Sequence, residues 1–273
     1  MKTTLVQSPD GLSLACYETG NPDGPEVLFI HGFSQCSQCW QAQMTDLELQ
    51  KRFRLVAYDI RGHGASGKPD DPRHYGSDDL FANDTRAVMR RLGLKRPVLA
   101  GWSYAGRLIG DYVRAFGTGG IAGINYVCAR TNNDPAFKGP GTRFLDAMCG
   151  SDAALEAGAT RAFVRACFSR MPAPQDLERI IAYNMSVKPH IRRAHLARSA
   201  SDGAVMASIA VPVLVTQGAE DQLVLKGLAD VTVAAVPGAR LSLYDGIGHS
   251  PFAEDPERFN LELADFVGLC NSG

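Results

Sequence analysis

Short apolar runs that alternate with helical stretches constrain the fold of this chain more than any other feature. The runs are almost continuously apolar, which is typical of strands that a parallel sheet buries on both faces. The clearest runs lie at residues 27–30, 55–58 and 98–100. Further strands are expected at residues 124–127, 211–215 and 241–244.

Helix signals fill the spaces between these strands. An apolar stripe at helical spacing follows Asp78, a second stripe spans 108–116, and a last helix is expected to begin at Asp255-Pro256. Residues 3–17 instead alternate between apolar and polar side chains and predict an antiparallel hairpin at the sheet edge. The sequence therefore predicts an α/β fold, a mostly parallel sheet with helices on both faces.

One long segment interrupts this alternation. Residues 130–203 carry no strand signal and are helical in pattern, so we expect a helical insertion there and a core made of residues 1–129 and 204–273. Residues 151–200 hold eight Lys or Arg against four Asp or Glu, a local balance of +4. The pattern favours solvated basic helix faces, with a carboxylate-bearing or otherwise anionic substrate as the alternative explanation of the charge. We expect His190 and His195 to be solvated.

Charge and composition exclude several classes of protein. The formal net charge of −1 over 273 residues gives no reason to expect binding to nucleic acid or to an anionic membrane. No apolar run is long enough to span a bilayer and no secretory signal is visible, so a cytoplasmic location is the default expectation. The seven cysteines suit a reduced compartment, and Cys36-Ser-Gln-Cys39 is interpreted as incidental thiols because no second such pair accompanies it.

A candidate nucleophile lies between the third strand and the following helix. The segment Gly101-Trp102-Ser103-Tyr104-Ala105-Gly106 places a serine between small residues at a sharp strand-to-helix turn. Such a turn projects the hydroxyl out of the sheet, and the backbone N–H of Tyr104 then points at the site where an oxyanion would develop. A serine needs a base to become a nucleophile, so the sequence predicts a histidine nearby.

Two later strand ends supply the partners that such a serine requires. Asp221 follows the strand at 211–215, and His249 follows the strand at 241–244 in a glycine-flanked loop. Both lie at carboxyl ends of strands, where open α/β sheets bind their ligands. We expect His249 to accept the proton of Ser103 and Asp221 to orient the imidazole. Glu220 is the neighbouring alternative for the acid.

These segments together resemble the α/β-hydrolase fold superfamily, in particular its esterase, cofactor-free haloperoxidase and lactonase branch. The serine turn is similar to the G-x-S-x-G nucleophile elbow, with Ala105 in place of the last glycine, and residues 59–66 resemble the stretch D-x-R-G-x-G-x-S. His31-Gly32-Phe33 resembles the H-G-x loop of this family, which implies that Phe33 and Tyr104 supply the two oxyanion N–H groups. The helical insertion resembles the family's cap. The likeness covers the chain apart from that insertion.

The resemblance implies a serine hydrolase that cleaves a small carboxylic ester or lactone through an acyl-enzyme. A serine at 103 argues against dehalogenases and epoxide hydrolases, which use a carboxylate nucleophile. Cofactor-free haloperoxidase or perhydrolase activity, carbon–carbon bond hydrolysis and a triad-bearing small-molecule receptor remain alternatives. Phe33, Tyr104 and Phe252 are the candidates for substrate contacts. No metal and no organic cofactor are implied, and the oligomeric state is left open.

Overall fold

An eight-stranded sheet forms the middle of the molecule in the computed structural model, which describes residues 1–198 and 203–272. Strands lie in the order β1-β2-β4-β3-β5-β6-β7-β8. Their bounds are β1 Lys2–Gln7, β2 Ser13–Gly20, β3 Glu26–Ile30, β4 Arg54–Tyr58, β5 Val98–Trp102, β6 Gly123–Val127, β7 Val213–Gly218 and β8 Arg240–Tyr244.

The direction of the strands follows the sequence pattern. The first two strands pair antiparallel as an edge hairpin, and β2 also runs antiparallel to β4. All remaining neighbours, from β4 to β8, are parallel. The carboxyl ends of β3, β5, β6 and β7 therefore meet at one edge of the sheet, which is where a ligand site is expected in such a fold.

Helices cover both faces of the sheet. Leu99 packs into one core and its neighbours Val98 and Ala100 into the other, because successive side chains of a strand point to opposite faces. The helices are α1 Gln41–Met44, α2 Leu47–Arg52, α3 Asp78–Leu92, α4 Ala105–Phe116, α5 Leu145–Met148, α6 Ala153–Ala166, α7 Pro174–Met185, α8 Pro189–Ala197, α9 Gly203–Ala207, α10 Gly227–Ala235, α11 Pro251–Glu254 and α12 Pro256–Cys270. The predicted α/β fold, with helices on both faces of a mostly parallel sheet, is confirmed.

Helices α5 to α9 occupy the chain between β6 and β7. Arg192 on α8 is fully buried there and donates hydrogen bonds to Met148 O, Asn184 O, Ser34 Oγ and the Glu156 carboxylate, at 2.6–3.0 Å. One arginine thus joins α8 to neighbouring helices and to a loop of the sheet. Part of the basic charge of residues 151–200 is therefore internal, which differs from the solvated faces that the sequence favoured.

The expectation for His195 is wrong. Its side chain is fully buried, and its ring stacks on Tyr104 with centroids 5.2 Å apart and an angle of 20°. The ring also packs 4.9 Å from that of His63. Burial lowers the pKa of both histidines well below the ordinary 6.5. The sequence pattern could not reveal this, because the neighbours of His195 come from the segments that follow β4 and β5 and from α3 rather than from its own helix.

Membrane-spanning helices need about 20 largely apolar residues. Within residues 1–198 and 203–272, no helix combines the length and the apolar character that a membrane span requires.

Candidate active site

Ser103 adopts a strained backbone conformation at the turn between β5 and α4. Its φ of 56° lies in the left-handed region that non-glycine residues rarely occupy. A Cβ on Gly101 would lie 2.5 Å from Ile109 Cδ1, and one on Gly106 would lie 2.9 Å from Arg130 O. Glycine is therefore required at 106, where the contact is with the backbone, while at 101 a methyl group would have to displace the end of the Ile109 side chain. Ala105 fits with its side chain fully buried. This explains how the turn accommodates alanine at the position where the family motif has glycine.

Asp221 and His249 form a buried pair at the same edge of the sheet. His249 Nδ1 lies 2.7 Å from Asp221 Oδ2, and the side chains are 1% and 0% exposed. The Asp221 carboxylate also accepts hydrogen bonds from the N–H groups of Leu223 and Val224 at 2.7 and 2.9 Å. With Nδ1 donating to the carboxylate, Nε2 is the nitrogen left without a proton in the neutral ring.

The backbone of His249 is held from the serine turn. Trp102 Nε1 donates to His249 O at 2.8 Å, and the two rings lie 5.5 Å apart. Gly218, at the end of β7, allows the loop to approach this closely: a Cβ there would lie 1.8 Å from Gly248 O. The strand that leads to Asp221 therefore packs directly on the loop that carries His249.

The Cys128 thiol adjoins this pair. Its Sγ and the donor atoms of Asp221 and His249 all lie within 4.8 Å of one another. Burial, followed by the charge of Asp221, raises the pKa of the Cys128 thiol well above 9.0. The sulfur accepts a hydrogen bond from Gly218 N at 3.4 Å. A neutral thiol is a poor metal ligand, and the carboxylate is already occupied by hydrogen bonds, so the group suits packing better than metal binding.

Two backbone N–H groups beside the serine lack acceptors. Neither Phe33 N nor Tyr104 N donates a hydrogen bond to any part of the chain that the structure describes. Gly32 brings the first of them close, since a Cβ on Gly32 would lie 3.1 Å from Ser103 Cβ. Unpaired N–H groups next to a hydroxyl form a site for negative charge.

A cavity of about 350 Å³ opens on Ser103. It contains Phe33 and Tyr104, two of the three predicted substrate contacts. Phe252 lies elsewhere: its ring packs 4.9 Å from Trp102 and lines a neighbouring cavity of about 340 Å³. The Ser103 cavity is lined by Phe33, Ser103, Tyr104, Arg107, Arg130, Lys138, Thr142, Leu145, Asp146, Phe163, Leu196, Leu223 and Val224.

The polar residues that follow β3 and β4 hold loops in place. His31 Nε2 accepts a hydrogen bond from Ile60 N at 3.0 Å, and Asp59 Oδ1 accepts one from Ser37 N at 2.7 Å. Ser66 Oγ donates to Asp59 O at 2.5 Å. Arg61 differs from its neighbours in the motif because its partners are distant carboxylates, Asp84 at 2.7 Å and Asp10 at 2.9 Å.

Sequence reasoning missed two cavity residues, Arg107 and Arg130. Both are 8% exposed and both line the cavity that holds Ser103. Arg107 lies four residues after the serine on α4, and Arg130 is three residues beyond β6. Position after a strand end was a usable signal for Arg130, since that edge of the sheet carries the site. Arg107 offered no signal beyond its place in the first turns of α4.

This fold, with a serine in a strained strand-to-helix turn and a hydrogen-bonded Asp–His pair at the same sheet edge, is that of the α/β hydrolases. The model of the alpha/beta hydrolase family matches residues 27–262, and the chain belongs to that family. It is accordingly a hydrolase, and a small molecule is the substrate that such a fold implies.

Known proteins with similar sequences and structures cover nearly the whole chain. A putative aryl esterase from Burkholderia cenocepacia is 35% identical, with a TM-score of 0.96 and full coverage of both chains. The esterase RhEst1 from Rhodococcus sp. ECU1013 is 31% identical, with a TM-score of 0.89 over 98% of this chain and 99% of its own. A non-heme haloperoxidase from Rhodococcus erythropolis is 26% identical over 96% of this chain and 98% of its own.

Proposed function

We propose that this protein hydrolyses a carboxylic ester or lactone, with Ser103 as nucleophile, His249 as general base and Asp221 as the residue that orients the base. The observation that carries the proposal is the 2.7 Å contact between His249 Nδ1 and Asp221 Oδ2, at the same edge of the sheet as the turn that contains Ser103. The similarity to a putative aryl esterase at 35% identity supports an ester as the substrate class.

The proposed reaction follows from what each group can donate or accept. His249 Nε2 takes the proton of the Ser103 hydroxyl as the oxygen attacks the carbonyl carbon, and Asp221 stabilises the imidazolium that results. The unpaired N–H groups of Phe33 and Tyr104 stabilise the tetrahedral oxyanion. His249 then gives the proton to the leaving alcohol. Water, activated by the same histidine, hydrolyses the acyl-enzyme.

We further propose that residues 130–203 act as a cap over a core of residues 1–129 and 204–273. Leu145, Phe163 and Leu196 come from this insertion, and all three line the Ser103 cavity. An apolar roof excludes water from the site and strengthens each hydrogen bond made to the oxyanion. The cap would then set which acyl and alcohol groups enter.

The test is hydrolysis of short 4-nitrophenyl esters, from acetate to hexanoate, by the parent and by Ser103→Ala. We expect Ser103→Ala to lose at least about 10³-fold in kcat, because the covalent route is removed. Ser151→Ala, which changes an exposed serine of the insertion, is the matched control and should retain full activity. Labelling with an alkylphosphonate should add one mass increment to the parent and none to Ser103→Ala. Equal hydrolysis by Ser103→Ala and parent would refute the acyl-enzyme route.

A second candidate is perhydrolysis, in which peroxide replaces water on the acyl-enzyme. The non-heme haloperoxidase from Rhodococcus erythropolis, similar over 96% of this chain, is the observation that favours it. Bromination of monochlorodimedone in acetate buffer with hydrogen peroxide and bromide measures this activity. Formation of peracid that depends on Ser103 would support it, whereas ester hydrolysis with no Ser103-dependent bromination would leave hydrolysis as the reaction.

A further inference from the structure

Two buried guanidinium groups face the cavity of Ser103. Arg107 and Arg130 are each 8% exposed, and the main chain of Arg130 is bonded to the serine turn, with Arg130 N donating to Ser103 O at 2.8 Å. The other side chains of the cavity are mixed: Phe163 and Leu223 are apolar, whereas Lys138 and Asp146 are charged and exposed. Two positive charges in such surroundings call for an explanation, because a buried charge is costly unless it is paired.

The hydrogen bonds of Arg107 do not neutralise its charge. Its Nη1 donates to the carbonyl of Arg198, and its Nη2 donates to the amide oxygen of Asn133 at 3.0 Å. Its Nε is buried and has no partner within residues 1–198 and 203–272. All the acceptors found are neutral, so the guanidinium keeps its full charge next to the cavity.

The guanidinium of Arg130 also has only a neutral hydrogen-bond acceptor. The one hydrogen bond that its side chain makes to the described residues runs from Nη2 to the main-chain carbonyl of Asp134 at 3.1 Å. Burial, and after it the charge of Arg107, lower the pKa of Arg130. Arg107 and Arg130 line the same cavity, so two like charges face one space, and a shared anion would relieve both their repulsion and their lost hydration.

The nearby carboxylates have other partners or are exposed. Asp134, whose charge acts on Arg130, is exposed, and its side chain accepts a hydrogen bond from Ala136 N at 2.9 Å. Asp111 pairs with Arg198 and lies 3.3 Å from Arg114, and Asp78 lies 2.8 Å from Arg198. Asp146 lines the cavity but is exposed, and no ion pair joins it to Arg107 or Arg130. In the described part of the chain, neither of these two guanidiniums makes an ion pair with a carboxylate.

From this arrangement we infer that the substrate itself carries the missing anion: the site takes an ester or lactone with a carboxylate group, which Arg107 and Arg130 bind while the scissile carbonyl lies at Ser103. The inference deepens the proposed function and rests on it. Exposed Lys138, which also lines the cavity, adds positive charge at its margin. A neutral ester would enter the same cavity and leave the two guanidiniums unpaired.

Paired substrates test this directly. Mono-4-nitrophenyl adipate and 4-nitrophenyl hexanoate have acyl chains of the same length and differ in one terminal carboxylate. 4-Acetoxybenzoate and 4-methylphenyl acetate make the same comparison on the alcohol side. We expect kcat/KM of the parent enzyme to be about 10-fold or more higher for the anionic member of at least one pair, because hydrogen bonds to charged groups are the strong ones.

Variants then assign the preference to the arginines. Arg130→Gln should remove most of the parent's preference, lowering the ratio of anionic to neutral kcat/KM by about 10-fold, mainly through KM, and Arg130→Lys should restore part of it. Arg107→Gln should also lower the ratio. Arg90→Gln, which removes the same charge from an exposed position on α3, should leave both rates unchanged. The preference of the parent remains decisive even if an arginine variant fails to fold.

The outcomes separate this inference from the proposed function. Absence of Ser103-dependent hydrolysis for all four esters would overturn the proposed function. Efficient hydrolysis without preference for an anionic ester in either pair would overturn the carboxylate site and leave the esterase proposal intact. A preference that survives both Arg107→Gln and Arg130→Gln would also overturn the assignment to these residues.

Discussion

The backbone N–H of Arg130 donates a 2.8 Å hydrogen bond to the carbonyl oxygen of Ser103. Arg130 is also the first residue of the segment that we propose as the cap. The chain therefore leaves the sheet for the cap at the serine turn itself, and Gly106 has no room for a side chain because Arg130 packs there. Substitutions in the first residues of the cap should consequently change the position of Ser103.

Asp221→Asn should lower kcat for ester hydrolysis by about 10³- to 10⁴-fold, because an amide no longer fixes the imidazole with Nε2 unprotonated. The thermal midpoint should change little, since the amide oxygen can still accept from Leu223 N and Val224 N. Glu220→Gln, which alters the exposed neighbouring carboxylate, serves as control and should retain activity. If Glu220→Gln is inactive and Asp221→Asn is not, the acid has been assigned to the wrong residue.

Gly218→Ala should remove activity and lower the thermal midpoint together. The added methyl group would lie 1.8 Å from Gly248 O, so the loop that carries His249 must move away from β7. A displacement of about 1 Å at a catalytic base is expected to cost roughly 100-fold in rate. Gly119→Ala is the matched control, because a Cβ there meets nothing within 4 Å. Full activity of Gly218→Ala would mean that the close packing of these loops is not required.

His195→Leu should reduce the loss of stability in acid. Burial, helped by the charge of Arg198, lowers the pKa of His195 below its ordinary 6.5, so the unfolded chain binds a proton that the folded chain does not. The free energy of unfolding should therefore fall as pH is lowered from about 6.5 towards the folded-state pKa, by up to about 1.4 kcal/mol per pH unit for each such histidine. His63 contributes in the same direction.

Urea denaturation between pH 7.5 and 5 measures this slope. Neither nitrogen of His195 has a hydrogen-bond partner in the described part of the chain, so His195→Leu breaks no such bond. The substitution should reduce the slope of unfolding free energy against pH by the equivalent of about one bound proton. Parallel curves for the parent and His195→Leu would contradict the interpretation.

Arg192→Leu should destabilise the helices of the insertion by about 3 kcal/mol, because it leaves the largely buried Glu156 carboxylate without its partner. Limited proteolysis between α5 and α8 should accelerate, and the denaturation midpoint should fall. Arg165→Leu removes a charge from an exposed position of α6 and should change neither. A second substitution, Glu156→Leu, should recover part of the loss in Arg192→Leu if the pair itself is responsible.

Local chemistry explains how much of this molecule the sequence predicted. Glycines and apolar runs that act within a few residues determine the strand ends, the serine turn and the positions of Asp221 and His249. Such local patterns can be recognised in the sequence alone. The burial of His195, the partners of Arg61 and the cavity positions of Arg107 and Arg130 depend on contacts between segments far apart in sequence. No periodicity encodes such contacts, because each side chain is placed by a neighbour from another element.

Three residues share the left-handed backbone conformation at this edge of the sheet: Ser34 after β3, Ser103 after β5 and Cys128 after β6. Each costs about 1–2 kcal/mol that glycine would not cost. Replacement of these residues by glycine has a different consequence at each position. Glycine at 128 would relax the backbone at the cost of the two weak contacts that the sulfur makes with Gly218 N and Gly248 O. Glycine at 34 would lose the hydrogen bonds that Ser34 Oγ makes with Arg192 and Asn184 O. At 103 the substitution by glycine would produce a more stable protein that lacks the nucleophile. A selection for thermal stability alone would therefore favour inactive variants at this position.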